Sequence, residues 1–428
     1  MMCLIDGSRF YCSASTVMAP ELRQKPVLVA SGIDGISIAA SRACSDAGIP
    51  KFSPIFQVKD KLALHGGVVY RANFNMLGHL SARMMSSIIN ATGSDLPHYQ
   101  YSVDEMFLDL TKLHTMGIDL NEHLSHIRKR VYQETRIGTG ASAGRTLTLA
   151  KVASYASKKL DGYNGQCVLD TVKHEDEVLK SMPVGEVWNV GRKLNEHFKF
   201  KGIVTAFDLK KADPKAMKKE FSVNVSNTIY ELNGVPVLNF TDNRPAKQQI
   251  FSTGSHRDRL KSPEAIQTKL SDYAAEVCKK VRTQDSEIEV LTFFAHTSPY
   301  EKCPRFSQAV EVVFNPPTAD TSIVMKAIRE RVKRVIPENP LHQPIYKVGV
   351  GAVKLSNGEM RQYDMFNVSQ DNRPLMDTLD SLNIRFGRGA LSFGSQSHSK
   401  VRWSDSVEIR ELPNYLTDIN QLIEIKCE

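Results

Sequence analysis

The chain has 428 residues, with 55 Lys and Arg against 47 Asp and Glu. An apolar fraction of 41% suits a soluble globular protein of several domains, not a disordered or fibrous chain. No apolar run approaches the roughly 20 residues of a membrane span, and the net charge of +8 is compatible with a polyanionic partner.

The first 165 residues alternate short apolar strands with helices. Met2–Asp6 and Pro26–Ala30 read as strands. Met76, Leu80, Met84 and Ile88 lie four apart, which predicts an amphipathic helix over 76–89. Next comes Tyr99 to Leu110, an aromatic, strand-like run that contains Ser102-Val103-Asp104-Glu105. Adjacent carboxylates inside such a run need a partner or a metal. Together with Asp6 they form a set of three acids on neighbouring strands that can hold a pair of Mg2+ ions, and two such ions stabilise the attacking and leaving oxygens of a phosphoryl transfer. Taken alone, a DE pair more often flanks a turn. Helices are expected over 119–135 and 145–159, with a Gly/Ala-rich strand over 135–143 whose small residues allow close backbone packing.

From about 166 to 240 the pattern is helical. Met182 to Leu194 reads as a helix–loop–helix whose loop holds Trp188, Asn189, Val190 and Gly191, followed by Arg192. Backbone N–H groups at such a turn cradle a phosphate; an ordinary αα-hairpin fits equally well. Residues 239–249 read as a linker. Beyond it, elements over 249–255, 263–282, 288–296, 309–314, 322–335 and 345–355 follow a βαββαβ order, which gives a four-stranded sheet covered by helices on one face. Five Lys or Arg lie between Arg244 and Lys261 against one Asp, and Arg257 and Arg259 are candidate DNA contacts. Gln362, Met365 and Phe366 form a short loop peptide with two large apolar side chains beside a polar anchor, a docking pattern. The seven cysteines form no CxxC pair, which argues against zinc; their odd number reads as reduced thiols in a cytosol. The chain opens on a strand, so no targeting segment is expected.

In order and spacing these motifs resemble the Y-family translesion DNA polymerases, and within them the UmuC branch, the catalytic subunits of bacterial DNA polymerase V. Asp6 to Ser13 resembles the first acidic motif and Ser102 to Phe107 the second. Thr148 to Lys151 with Ala156 to Lys159 resembles the basic helix, and Met182 to Arg192 the thumb helix-hairpin-helix. The resemblance implies an α+β multidomain right-hand polymerase. Its parts are a palm (1–11 and 76–165), small fingers (12–75), a helical thumb (166–240), a βαββαβ little finger that grips DNA (241–355) and a C-terminal tail (356–428). It implies that Asp6, Asp104 and Glu105 are catalytic and bind two Mg2+ ions. Tyr11, following Phe10, would be the ring that excludes a ribose 2'-OH, and Lys158 would contact the incoming triphosphate. Asn189, Gly191 and Arg192 would grip DNA, and Gln362, Met365 and Phe366 would bind a sliding clamp. The implied partners are primer-template DNA, dNTP, the clamp, a UmuD-type dimer and RecA; the implied location is a bacterial cytoplasm, at the nucleoid and with no membrane.

Four positions depart from the family pattern: Ser15 stands for Glu, Ser45 for a basic triphosphate contact, Leu147 for Lys and Asn189 for Gly. Arg42, three residues before Ser45, faces a similar side of a helix. The leading expectation is error-prone translesion synthesis by two-metal dNTP addition. The alternatives are a DNA- and clamp-binding scaffold with weakened catalysis and, less favoured, a two-metal nuclease.

Overall fold

The computed structural model describes residues 1–31, 35–93, 95–239, 246–358, 371–387, 389–397 and 409–411. It divides into two compact units, 1–243 with 405–428, and 244–404.

In the first unit β1 (Met2–Gly7) leads into α1 (Phe10–Ser15), β2 (Val27–Ala30), β3 (Ser37–Ala40), α2 (Arg42–Asp46), α3 (Ile55–Leu64), β4 (Val68–Arg71) and α4 (Phe74–Thr92). Then come β5 (His98–Gln100), β6 (Glu105–Asp109), α5 (Thr111–Thr115), α6 (Leu120–Thr135), β7 (Thr139–Gly144), α7 (Leu147–Lys159) and β8 (Gln166–Val168). The central sheet runs β5-β6-β1-β7-β8. Cys3, Leu4 and Ile5 are wholly buried, because helices cover both faces and a strand buried on both sides reads as an unbroken apolar run. Ile5 joins a core with Leu80 and Met84 of α4 and Leu124, Ile127 and Val131 of α6. Leu4 packs with Phe107, Leu147 and Ala150 on the opposite side. The small residues of β7 let α7 approach closely: a Cβ on Gly144 would stand 2.7 Å from the Leu149 backbone. Side-chain caps start the long helices, Asn73 for α4, Asp119 for α6 and Thr146 for α7.

The run from Tyr99 to Leu110 is a hairpin and not one strand. Tyr101 N and Ser102 N donate to the Glu105 carbonyl and close the turn, so Asp104 sits in the turn while Glu105 opens β6. A second sheet, β13-β4-β2-β3, includes β13 (Ile409–Glu411), which pairs in parallel with β4. Only β2 of these four was legible in the sequence. All four are three or four residues long, too short to carry a period; β2 is visible as an unbroken apolar run.

The remaining helices of this unit are α8 (Val172–Ser181), α9 (Arg192–Phe200), α10 (Ala206–Lys211), α11 (Pro214–Glu220) and α12 (Val223–Leu232), packed around Phe198, Leu209 and Ile229. The expected helix before Trp188 is a single 3-10 turn, Val184–Glu186, set between Pro183 and an extended Val187.

The second unit holds β9 (Ile250–Leu260), α13 (Pro263–Thr283), β10 (Ser286–His296), β11 (Ser307–Thr318), α14 (Thr321–Arg331), β12 (Ile345–Asn357) and α15 (Arg373–Arg385). The βαββαβ expectation is met, with strand order β11-β10-β12-β9. β9 runs past Ser255 to Leu260, where a register shift pairs Leu260 with Ile345. Helix α15 belongs to this body, because the buried Arg282 guanidinium holds Asp380 through two bonds of 2.8 and 3.0 Å.

Candidate active site

Antiparallel pairing of β1 with β6 sets Asp6 directly opposite Glu105. Asp104 is added from the turn, where Gly7 N donates to its carbonyl at 2.7 Å. Its carboxylate accepts from the Ser102 hydroxyl at 2.5 Å, so the serine orients the acid. The three predicted acids therefore come together at one end of the sheet.

Two lysines answer them. Lys158 Nζ stands 2.8 Å from Asp6 Oδ2, and Lys151 Nζ stands 2.6 Å from Glu105 Oε1. Lys151 and Lys158 are seven residues apart, two helical turns, which puts both on one face of α7. That spacing is visible in the chain, but it acquires meaning only once Asp6 and Glu105 are known to be neighbours. Lys151 was missed as a site residue. Its ammonium also lies 4.9 Å from the Tyr101 ring centre and 5.8 Å from those of Phe107 and Trp188, a partial aromatic cage. Trp188 Nε1 donates to the Tyr101 hydroxyl at 3.3 Å, which fastens the loop before α9 to the hairpin.

Burial pushes the Asp6 carboxyl up to about 6; Lys158 opposes that shift and Glu105 adds to it. Such a group favours a cation, since a positive neighbour restores the charged form. The donor set, all carboxylate, suits a hard divalent ion, and two ammonium groups already lie against two of the acids. Among the described residues no group of three His, Cys, Asp or Glu is arranged to hold a metal ion; Asp6 and Glu105 are each engaged by a lysine.

Asp6 and Asp104 line a cavity of about 1300 Å³. Tyr11 lines it too, its ring tilted against Phe10 and edge-on to Phe74. Burial and the Asp104 charge raise the Tyr11 phenol pKa, so the ring stays neutral. Phe10 is itself a buried core residue that backs the wall. Arg42 and Lys158 line the cavity, and Ser45 does not. Arg9 and Lys51 also line it and were missed. Arg9 has φ 48 ahead of α1, and its guanidinium donates to the Ala40 and Ser41 carbonyls at 2.8 and 3.1 Å. A left-handed arginine carries no local sequence signal.

Two departures from the family pattern find a physical reading. Leu147 fills a core position beside Leu4 and Phe107, where a lysine would be buried. Asn189 adopts φ 72, a left-handed angle that asparagine tolerates better than most residues. Ser15 is buried with its hydroxyl unpartnered, and nothing in the structure explains that substitution.

The expected DNA contacts divide. Gly191 caps α9 at φ −82, an angle that does not require glycine. Arg192 is exposed, 3.9 Å from Glu196. Arg259 pairs with Glu301 at 2.6 Å and stacks 4.7 Å over Tyr346. Arg257 lies on β9; its side chain, like Gln362, Met365 and Phe366, is outside the described residues. The uncovered sheet face instead carries Phe251 and Phe294, pressed close over Gly351 and Gly349.

Residues 5–155 match the impB/mucB/samB family and residues 247–365 its C-terminal domain; residues 373–425 match a domain of unknown function (DUF4113). The chain is 30% identical over 435 positions to protein UmuC of Salmonella typhimurium, covering 100% of each. It is 28% identical to protein MucB of Salmonella typhimurium, over 92% of this chain and 93% of that one. With DNA polymerase IV 2 of Bacillus subtilis it shares 23% identity over 91% and 92%. The fold matches a Y-family DNA polymerase chimera at TM-score 0.61 and 14% identity, over 82% of this chain and 98% of that one. Sheet, acids, lysines and these matches converge: the chain belongs to the impB/mucB/samB family, the UmuC-type branch of the Y-family DNA polymerases.

Proposed function

We propose that this chain performs error-prone translesion DNA synthesis in the SOS response, adding dNTPs to a primer 3'-OH under template direction. The observation that carries the reading is the pairing of Asp6 with Glu105, Asp104 beside them, at the edge of a cavity also lined by Arg9, Arg42, Lys51 and Lys158. In the reaction the primer 3'-oxygen bonds to the α-phosphorus, the bond from that phosphorus to the bridging oxygen breaks, and pyrophosphate leaves. Asp6, Asp104 and Glu105 are the residues that would hold two Mg2+ ions, which supply charge neutralisation for the attacking and leaving oxygens. The chain's own residues do the rest. Arg9, Arg42, Lys51 and Lys158 offset triphosphate charge, and electrostatic preorganisation of that kind is usually the largest catalytic term. Tyr11 presents a neutral ring where a ribose 2'-OH would lie. Lys151 orients Glu105 through their 2.6 Å ion pair.

Domain assignment follows the same reading: palm over 1–11 and 76–165, fingers over 12–75, thumb over 166–240, little finger over 241–355 and tail over 356–428. Clamp docking through Gln362, Met365 and Phe366, activation by a UmuD-type dimer and RecA, and a cytoplasmic, nucleoid-associated location belong to it as well. No helix among the described residues is long and apolar enough to cross a membrane.

Primer extension with Mg2+ tests the proposal. Asp104→Ala should abolish incorporation while leaving primer-template binding intact; extension equal to the parent's would remove Asp104 from the site. Tight DNA binding by the parent with no incorporation, with Mn2+ and partner proteins present, would favour the scaffold reading. Met365→Ala with Phe366→Ala should reduce clamp-dependent synthesis and spare basal synthesis.

A further inference from the structure

A second cavity, of about 400 Å³, shares Ser8, Tyr132 and Gly138 with the nucleotide cavity. Its other walls are Ser125, Arg128 and Lys129 of α6 and Thr139 at the start of β7. Ser125, Arg128, Lys129 and Tyr132 recur at intervals of three and four, so a single helix face presents two cations and two hydroxyls. None of the lining residues is acidic.

The cations are not neutralised locally. Arg128 donates from Nε to the Thr139 carbonyl at 2.9 Å and from Nη2 to the Asn164 carbonyl at 3.1 Å. Both acceptors are neutral, and burial alone lowers its pKa. Lys129 is exposed and has no ion pair among the described residues. The Thr139 hydroxyl is buried and has no hydrogen-bond partner. A buried orphan hydroxyl is costly in a native structure and calls for an explanation such as a ligand that meets it. Cations and hydroxyls without a carboxylate form a donor set for phosphate oxygens.

We propose that this cavity is a docking site for inorganic pyrophosphate on its way out of the nucleotide cavity. Naming pyrophosphate rests on the polymerase reading, in which it is the leaving group; the affinity for a compact phosphate anion rests on the cavity alone. Ser8, Tyr132 and Gly138 line both cavities, so Arg128 and Lys129 lie across that shared wall from the cavity that holds Lys158 and Arg9.

The test is calorimetric titration of inorganic pyrophosphate into the full-length protein without DNA, compared with pyrophosphate inhibition of primer extension. Lys129→Ala removes one charge-assisted contact and should weaken pyrophosphate binding about 10- to 150-fold at this site. Thr139→Val keeps the shape and removes the orphan hydroxyl. It should weaken pyrophosphate binding about fivefold while leaving the thermal midpoint unchanged or higher, which separates a ligand role from a folding defect. Both variants should keep the parent KM for dNTP and resist inhibition by pyrophosphate. Parent-like pyrophosphate affinity in both variants would overturn the proposal. So would a rise in dNTP KM matching the pyrophosphate effect, since the cavity would then be part of the nucleotide site. Pyrophosphate binding that depends on Lys129 and Thr139 in a protein unable to extend primers would keep the anion site and sink the polymerase reading.

Discussion

Replacing Lys151 by Met tests how the acids are held before any cation arrives. The substitution keeps a long apolar side chain against Tyr101, Phe107 and Trp188 and deletes the ammonium 2.6 Å from Glu105. The two partners are 16% and 18% exposed, so the pair is largely but not wholly desolvated. Removing one partner of a buried pair costs about 3–5 kcal/mol, because the other charge is left uncompensated. Residual solvent at this pair favours the lower end, about 3 kcal/mol. In a unit of more than 200 residues that corresponds to a fall in Tm of about 6–12 °C. The assay is thermal unfolding with and without Mg2+. Lys151→Met should melt lower than the parent in the absence of Mg2+, and Mg2+ should raise its Tm more than the parent's, because Glu105 is then free to meet the ion. A variant that melts within about 2 °C of the parent and gains no more from Mg2+ would refute the claim that Lys151 compensates Glu105.

Asp6 gives a pH prediction. Its folded pKa of about 6 lies above the ordinary carboxyl value of 3.8, so the folded state binds the proton more tightly than the unfolded one. The resulting stabilisation is fully present below about pH 4 and is lost as pH rises through 6, on the order of 3 kcal/mol in all. Asp6→Asn should flatten that part of the stability profile, as read from denaturant unfolding between pH 4 and 7. Primer extension should fall as pH drops through 6, since the protonated acid no longer attracts a cation. Leu147→Lys, which introduces the lysine that the resemblance implies, should lower stability by at least about 2 kcal/mol in denaturant unfolding, because it buries an unpaired ammonium in the cluster with Leu4 and Phe107. Tyr11→Ala should raise the ratio of ribonucleotide to deoxyribonucleotide incorporation in single-nucleotide extension, with stability near the parent's because the ring is only partly buried.

Local chemistry in the chain determined a good deal. The fourfold spacing from Met76 to Ile88 marked α4, the apolar run at Met2–Asp6 marked β1, and the βαββαβ alternation marked the second unit, because each is a periodicity carried by neighbouring residues. The acids were visible as residues out of place in an apolar setting, and the order of the motifs identified the family. Pairings between distant residues were decided only by the tertiary structure. Strand register set Asp6 against Glu105, and that contact gave the seven-residue spacing of Lys151 and Lys158 its purpose. The left-handed turn at Arg9 sent its guanidinium toward β3, and core packing made Leu147 a structural residue. The pairing of Arg259 with Glu301, 42 residues away, was likewise invisible in the chain. The physical reason is common to these cases: periodicity and capping act over a few residues, whereas charge pairing and desolvation depend on which remote groups the fold brings within a few ångströms.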